Sequence, residues 1–216
     1  MMARWQAWWL AAGCVLLAGC TDSKHAQRET PVKKQSEHSP DRYRARFETS
    51  KGDFVVEVYR DWAPRAADRF YNLLEDQFFT GVRFHRVVRN FIVQFGIHPD
   101  PAVSRLWANM VFPDDPPKEK NKKGTIAFAH RGPVTRTTQV FINLRDNSAT
   151  LDKAGFVPFG RVVEGMDVVE SLYSAYGEVP PRGTGPDPAQ IELQGLKYIE
   201  AKFPRLDFIR RAEILP

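Results

Sequence analysis

Beyond its N-terminal leader this sequence lacks cysteine. The 216 residues contain two, Cys14 and Cys20, both near the start. From Thr21 onward there is therefore no disulfide, no thiolate metal site and no thiol nucleophile. An oxidising compartment would neither help nor harm such a domain. Several enzyme signatures are missing too: there is no G-x-S-x-G elbow and no H-E-x-x-H run. Gly160-Arg161-Val162-Val163-Glu164-Gly165-Met166 has the glycines of a phosphate-binding loop, but not the Lys-Ser/Thr such a loop needs. Hydrolase and nucleotide-binding readings are set aside on these grounds. Strong charge is also absent, since the formal net charge is +5. Lys118, Lys120, Lys122 and Lys123 have no aromatic residues interleaved with them, so they read as a solvated loop and not as a nucleic-acid surface.

The chain is 43% hydrophobic and 26% charged, an ordinary balance for one globular domain with a sizeable core. Its first residues stand outside that balance. Arg4 is followed by an apolar run from Trp5 to Ala18, broken by Gln6, with the length and place of a signal-peptide core. Leu16-Leu17-Ala18-Gly19-Cys20 resembles a bacterial lipobox. That implies a signal peptide over residues 1–19, lipid on Cys20 and attachment of the protein to a membrane. Residues 20–41 are polar, with Pro31 and Pro40, and lack the apolar anchors of a core. They read as a flexible spacer, and His25 and His38 within it are not read as metal ligands.

From Arg44 the pattern is that of strands. Residues 44–49 and 54–59 flank Ser50-Lys51-Gly52-Asp53, a hairpin signal. Asp61 as cap and Pro64 in the first turn predict a helix through about Asp76, with Ala67, Phe70, Leu73 and Leu74 on one face. Between His98 and Lys123, prolines at 99, 101, 113, 116 and 117 predict a long irregular loop. Strands are predicted at 124–129, 139–144 and 155–163, with Asp146-Asn147-Ser148 as a loop. A helix is predicted from Met166 to Tyr173, another from Asp187-Pro188 to about Phe203, and a last strand over 206–214 that could close the sheet. Many short strands and few helices predict an antiparallel barrel capped by helices.

The most informative stretch is Phe84-His85-Arg86-Val87-Val88-Arg89-Asn90-Phe91-Ile92-Val93-Gln94-Phe95-Gly96. It reads as two strands about a turn at Arg89-Asn90. Arg86 and Gln94 are polar groups that an apolar run would normally exclude. A cation among Phe84, Phe91 and Phe95 is either paired, with Glu57 or Asp68 as candidates, or it takes part in chemistry. Taken alone, Phe91, Phe141 and Phe159 read as plain core. The joint occurrence of Arg86 with Gln94, Gln139 and Phe141 is what favours a site. His85 and His130 read as structural or exposed histidines, not as bases.

These residues resemble the cyclophilins, a family of peptidyl-prolyl cis–trans isomerases. The resemblance rests on Phe84-His85-Arg86 with Phe91-Ile92-Val93-Gln94, on Gly132-Pro133 with Thr137-Thr138-Gln139-Val140-Phe141-Ile142, and on Leu151-Asp152 with Phe156 to Gly160. It implies a mainly β, closed antiparallel barrel capped by helices over residues 42–182. Residues 183–216 form an appended helix and strand. It also implies acceleration of rotation about X–Pro bonds, with no metal and no cofactor. Arg86 is implied as the catalytic donor, and Phe91, Ile92, Phe141, Leu151 and Phe156 as the proline pocket. Gln94 would hold Arg86 or the peptide, and Ala129, His130 and Gln139 would line the groove. Many relatives carry Asn-Ala where this chain has His130-Arg131, which would alter the preferred residue before proline. Thr137-Thr138 stands where a Gly-Ser pair is common, which implies a narrower neighbouring pocket. Thr150 stands where cyclosporin-sensitive relatives carry tryptophan, which implies weak cyclosporin binding. With the leader, the expectation is a monomeric, lipid-anchored envelope isomerase that acts on proline-containing and exported proteins. The alternative is a non-catalytic module that only binds such segments.

Overall fold

The computed structural model describes residues 38–216. Cys20 and the signal-peptide and lipid-anchor expectations lie outside the described residues, as does most of the spacer. Eight strands form one antiparallel sheet: β1 (Arg42–Thr49), β2 (Asp53–Tyr59), β3 (Arg86–Val88), β4 (Ile92–Phe95), β5 (Thr125–Phe128), β6 (Val140–Asn143), β7 (Pro158–Glu164) and β8 (Ile209–Leu215). Their spatial order is β3-β4-β6-β5-β7-β2-β1-β8. The sheet curls until its two end strands approach. An isolated antiparallel bridge joins Arg83, just before β3, to Phe208, just before β8. The expected antiparallel barrel is thus a curled sheet drawn together at that bridge. β8 pairs with β1 along its length, and Ile209 and Ala212 on it belong to the main core.

Period-two alternation sends one face of each strand inward. Phe47, Phe54, Val56, Val58, Val87, Val93, Phe95, Ile126, Phe128, Val140, Ile142 and Phe159 fill the interior together with Phe70 and Leu73 of α1 (Pro64–Glu75). Much of this core is aromatic. Phe47 stacks on Phe54 at 4.9 Å, and Phe79, Phe84 and Phe95 meet edge-to-face.

Several expectations are corrected here. Asp61 does not cap α1. Ala63 occupies the N-cap position, and the first-turn N–H groups of Arg65 and Ala66 donate to the Asp115 carboxylate at 3.1 and 2.9 Å. The cap comes from fifty positions away, beyond any local pattern. The segment predicted as a long loop contains α2 (Pro101–Ala108). Asp100 caps it by accepting from the Ala102 N–H at 2.8 Å, Pro101 opens it, and Trp107 on it is buried against Phe78. The loop at Asp146-Asn147-Ser148 leads into a single turn, α3 (Ser148–Leu151). Gly155 to Val157 precede the strand rather than belong to it, because the Phe156 N–H turns back to the Leu151 carbonyl.

After α4 (Met166–Ser171), the one helix predicted to reach Phe203 is two: α5 (Pro188–Gln194) and α6 (Leu196–Lys202). Gly195 separates them at φ 57°, and a Cβ there would meet the Pro99 carbonyl oxygen at 2.1 Å. Ile191, Tyr198, Ile199, Phe203 and Leu206 form a second, small core with Ile97 of the barrel. Lys118, Lys120, Lys122 and Lys123 are exposed, as the loop reading expected. Among the described residues no helix is long and apolar enough to cross a membrane.

Candidate active site

The site lies on the outward face of β3, β4, β6 and β5. Strand register puts Arg86 opposite Gln94, Gln94 opposite Phe141, and Phe141 opposite Ala127, in one row across four strands. Two residues along, Val88, Ile92 and Asn143 form the next row. Alternation explains why these residues share a face: their neighbours Val87, Val93, Phe95, Val140 and Ile142 all point into the core. Phe91 is not on β4. It sits in the turn before it, where Asn90 takes φ 55°, and this lets Phe91 join a face that strand spacing alone would deny it.

Ile92, Ala127, Phe141 and Leu151 make an apolar cluster separate from the main core, completed by Phe91, Ala129 and Phe156. Every residue expected to line the proline pocket is in it. Phe159, by contrast, is plain core. Phe141 meets Phe156 edge-to-face at 5.3 Å, and the His130 ring lies 4.2 Å from that of Phe156. Phe91, Phe156, Ala129 and His130 are half-buried, so the cluster opens to solvent on one side.

Beside it runs a polar chain. The Gln94 side chain accepts from Arg86 Nη1 at 3.0 Å and donates to Gln139 Oε1 at 2.9 Å. Gln139 Nε2 reaches Glu192 on α5 at 3.4 Å. The Arg86 guanidinium lies 5.7 Å from the Phe91 ring centre, in cation–π range. Its ion-pair partner is neither Glu57 nor Asp68. Glu57 pairs with Arg42 and Arg44, and Asp68 with Arg60. Arg86 instead donates from Nε and Nη2 to the two carboxylate oxygens of Glu178, each at 2.6 Å. Burial pushes the Glu178 carboxyl up, but the Arg86 and Val179 hydrogen bonds and the Arg86 and Arg182 charges outweigh it and hold it below the usual range.

His85 is buried, and burial with the adjacent Arg86 charge pushes its pKa down to about 4. It is neutral at pH 7. His130 is lowered as well, first by burial, and its Nδ1 accepts from the Gly132 N–H. Thr150 is exposed on α3 and donates to the Asn147 carbonyl.

The chemistry this arrangement can carry out is narrow. An open apolar cluster beside a fixed, permanently charged donor can seat a small ring and stabilise a lone pair next to it. No described side chain here is poised as a nucleophile, and the one fully buried histidine is neutral.

A family model described as "Cyclophilin type peptidyl-prolyl cis-trans isomerase/CLD" matches residues 44–189. The chain belongs to the cyclophilin-type peptidyl-prolyl cis–trans isomerases. A peptidyl-prolyl cis-trans isomerase of Acinetobacter baylyi is 31% identical over 73% of this cyclophilin and 79% of its own length. Peptidyl-prolyl cis-trans isomerase B of Escherichia coli K12 is 31% identical over 58% of the chain and 81% of its own length. Arabidopsis thaliana CYP65 is 33% identical, but the match spans only 25% of that longer protein. Among solved structures, a cyclophilin-type isomerase of Cryptosporidium parvum superposes with TM-score 0.59 over 81% of this chain and 98% of its own, at 21% identity. The same protein in the presence of the dipeptide Ala-Pro gives 0.58, at 20% identity over 80% of this chain and 99% of its own.

Three features of this cyclophilin's site escaped the sequence reading. Glu178 and Glu192, at the two ends of the polar chain, come from the segment between α4 and β8 and are ordinary acidic residues in sequence. Beneath the pocket lies a buried asparagine network. Asn147 donates to the Phe91 carbonyl and to Asn143, and Asn143 donates to Thr125 and Asn121. Asn121 donates in turn to the Phe156 carbonyl and to Asp152. Asn121, Asn143 and Asn147 are at most 2% exposed. This network ties the Phe91 wall to the Phe156 wall. Only the presence of three amides near otherwise apolar strands hinted at it.

Proposed function

We propose that Arg86 is the catalytic donor of this isomerase and that the enzyme works outside the cytoplasm, held to a membrane by lipid on Cys20, on exported proteins. The observation that carries the catalytic assignment is the position of the Arg86 guanidinium, clamped by Gln94 at the open rim of the Phe91–Ile92–Phe141–Leu151–Phe156 cluster. Rotation about an X–Pro bond must break amide resonance against a barrier of about 18–20 kcal/mol. In the twisted state the prolyl nitrogen recovers its lone pair. A donor that meets this nitrogen only then binds the transition state better than either planar isomer, which is the condition for catalysis. No bond is made or broken and no proton leaves the enzyme. The pocket seats the pyrrolidine ring, while Gln139, Ala129 and His130 hold the residues before it.

The assay uses a domain starting near Asp41 and a proline-containing peptide, with Arg86→Ala as the variant and circular dichroism as the check on fold. Loss of one preorganised donor lowers kcat by about a hundredfold to a thousandfold. Unchanged turnover in the variant removes Arg86 from the mechanism. The bidentate Glu178 contact favours a second reading, a module that binds proline segments without turning them over. Absence of turnover across peptides with varied residues before proline, in a folded protein that still binds them, would establish that reading instead.

The location is tested apart from the chemistry. Palmitate labelling of the full chain, lost in Cys20→Ser together with membrane association, is the expected result. The domain acts as a monomer and binds cyclosporin weakly, with exposed Thr150 offering no indole to the ligand. Ultracentrifugation and a cyclosporin titration check these two points.

A further inference from the structure

Glu178 engages both the Nε and Nη2 donors of the residue placed at the centre of the chemistry. Such a carboxylate could be a removable plug or a fixed part of the site, and its setting decides between them. The loop that carries it is tightly built. The Glu178 carbonyl accepts from the Gly185 N–H at 2.9 Å, and the Val179 carbonyl accepts from the Gly183 N–H at 3.1 Å. A Cβ on Gly183 would stand 2.3 Å from the Glu178 carbonyl oxygen, so the chain doubles back here at a distance only glycine allows. Carboxylate atom Oε1 also accepts from the Val179 N–H at 2.8 Å, which fixes the side chain on its own backbone. Tyr176, two residues earlier, packs on Phe203 in the small α5–α6 core.

The contacts on Arg86 are complementary. Glu178 takes the Nε and Nη2 side of the guanidinium, and Gln94 takes Nη1. One N–H on each η nitrogen is left for a peptide. A guanidinium gripped from two sides has little rotamer freedom left to lose when substrate arrives.

We infer that Glu178 is a positioning residue of the isomerase, which with Gln94 locks the Arg86 guanidinium in its working orientation. The segment between α4 and β8 is accordingly part of the active site and not an appendage to it. The inference rests on Arg86 being the catalytic donor, as proposed above.

The test compares wild type, Glu178→Ala, Glu178→Gln and Arg86→Ala by NMR exchange kinetics on one proline peptide. It also records the Arg86 Nε–H resonance, assigned by its loss in Arg86→Ala. For Glu178→Ala the expected result is a drop in kcat of about tenfold with KM changed less than about twofold, because orientation of the donor is felt in the transition state. The Nε–H resonance should broaden or exchange faster. Glu178→Gln, which keeps the volume and one acceptor, should fall between the two and stands in if the alanine variant does not fold. A role confined to holding the loop would lower the melting temperature without moving kcat, and would overturn the proposal. A rise in kcat/KM would also overturn it and make Glu178 a plug. If Arg86→Ala itself keeps full turnover, the catalytic assignment has failed first. If only the Glu178 variants are silent, the catalytic assignment stands and the positioning role falls.

Discussion

On one face of β4 and β6, Val93, Phe95, Val140 and Ile142 enter the main core; on the other, Ile92, Gln94, Phe141 and Asn143 face the groove and the network beneath it. The strands are the same and the alternation is the same, yet the two faces differ in what they hold. The inner face is closed on all sides and almost wholly aliphatic and aromatic. The outer face combines an apolar cluster, open on one side, with a polar row that runs from Glu178 through Arg86, Gln94 and Gln139 to Glu192. Stability is concentrated on the first face, and the proposed chemistry on the second. A core side chain does most when nothing can reach it, and a binding side chain does most when a ligand can.

The separation can be broken by experiment. Phe95→Ala empties a fully buried site and should cost about 3–5 kcal/mol of stability, measured by urea unfolding, with activity following the folded fraction. Phe141→Ala, one face away, should lower kcat/KM by about tenfold to a hundredfold, because a pocket wall is worth about 1–3 kcal/mol to a bound apolar group. Phe141 is itself 2% exposed and so carries a cavity cost of its own; what separates the two variants is a loss of kcat/KM beyond the loss of folded fraction, expected for Phe141→Ala alone. The same excess loss in Phe95→Ala would mean that the two faces are not separate in function.

Asn147→Ala probes the seam between them. It leaves Asn143 Oδ1 without its Asn147 donor and the Phe91 carbonyl with only the Leu144 N–H, and should cost about 1–3 kcal/mol. KM should rise more than kcat falls, since the pocket walls move while Arg86 stays held. A change in kcat alone would mean that the network serves Arg86 and not the pocket.

The smallest effect on activity belongs to Glu57, a buried carboxylate on the outward face of β2. The Arg42 hydrogen bond, then those of Tyr59 and Arg44 against the cost of burial, hold its pKa at about 2, below its ordinary value of 4.5. A carboxyl depressed in the folded state contributes stability that is fully present above its unfolded pKa. That contribution is lost as pH falls from about 4.5 through 2. Glu57→Gln should therefore flatten the acid limb of the stability curve between those values while leaving activity near pH 7 unchanged. An unaltered acid limb would show that other carboxylates govern it.

Much of this was readable before any fold was known, and unevenly so. The β1–β2 hairpin was legible through its glycine-containing turn, and the β3–β4 pair through a β-branched and aromatic run broken at Arg89-Asn90. The pocket set was legible through its resemblance to a family, not through periodicity. Phe91 and Gln94 reach one face only because Asn90 bends the turn before β4. α2 was hidden by its prolines, although Asp100-Pro101 is itself a helix start. The break at Gly195 was hidden because a glycine inside a helical pattern is often tolerated. The asparagine network was at most hinted at by its amides, and the cap of α1 by Asp115 and the Glu178 contact could not be seen at all.

By itself, the sequence determined most of the strands and the first helix, because these depend on neighbours one to four positions away. It also determined, through Arg86, Gln94, Gln139 and Phe141, the family to which the chain belongs. Only the tertiary structure decided what Arg86 holds. Its partner is ninety-two positions away, on a loop whose path is set by close backbone contacts at Gly183 and Gly185. An ion pair over that separation depends on how the whole chain closes, and no local pattern carries that information.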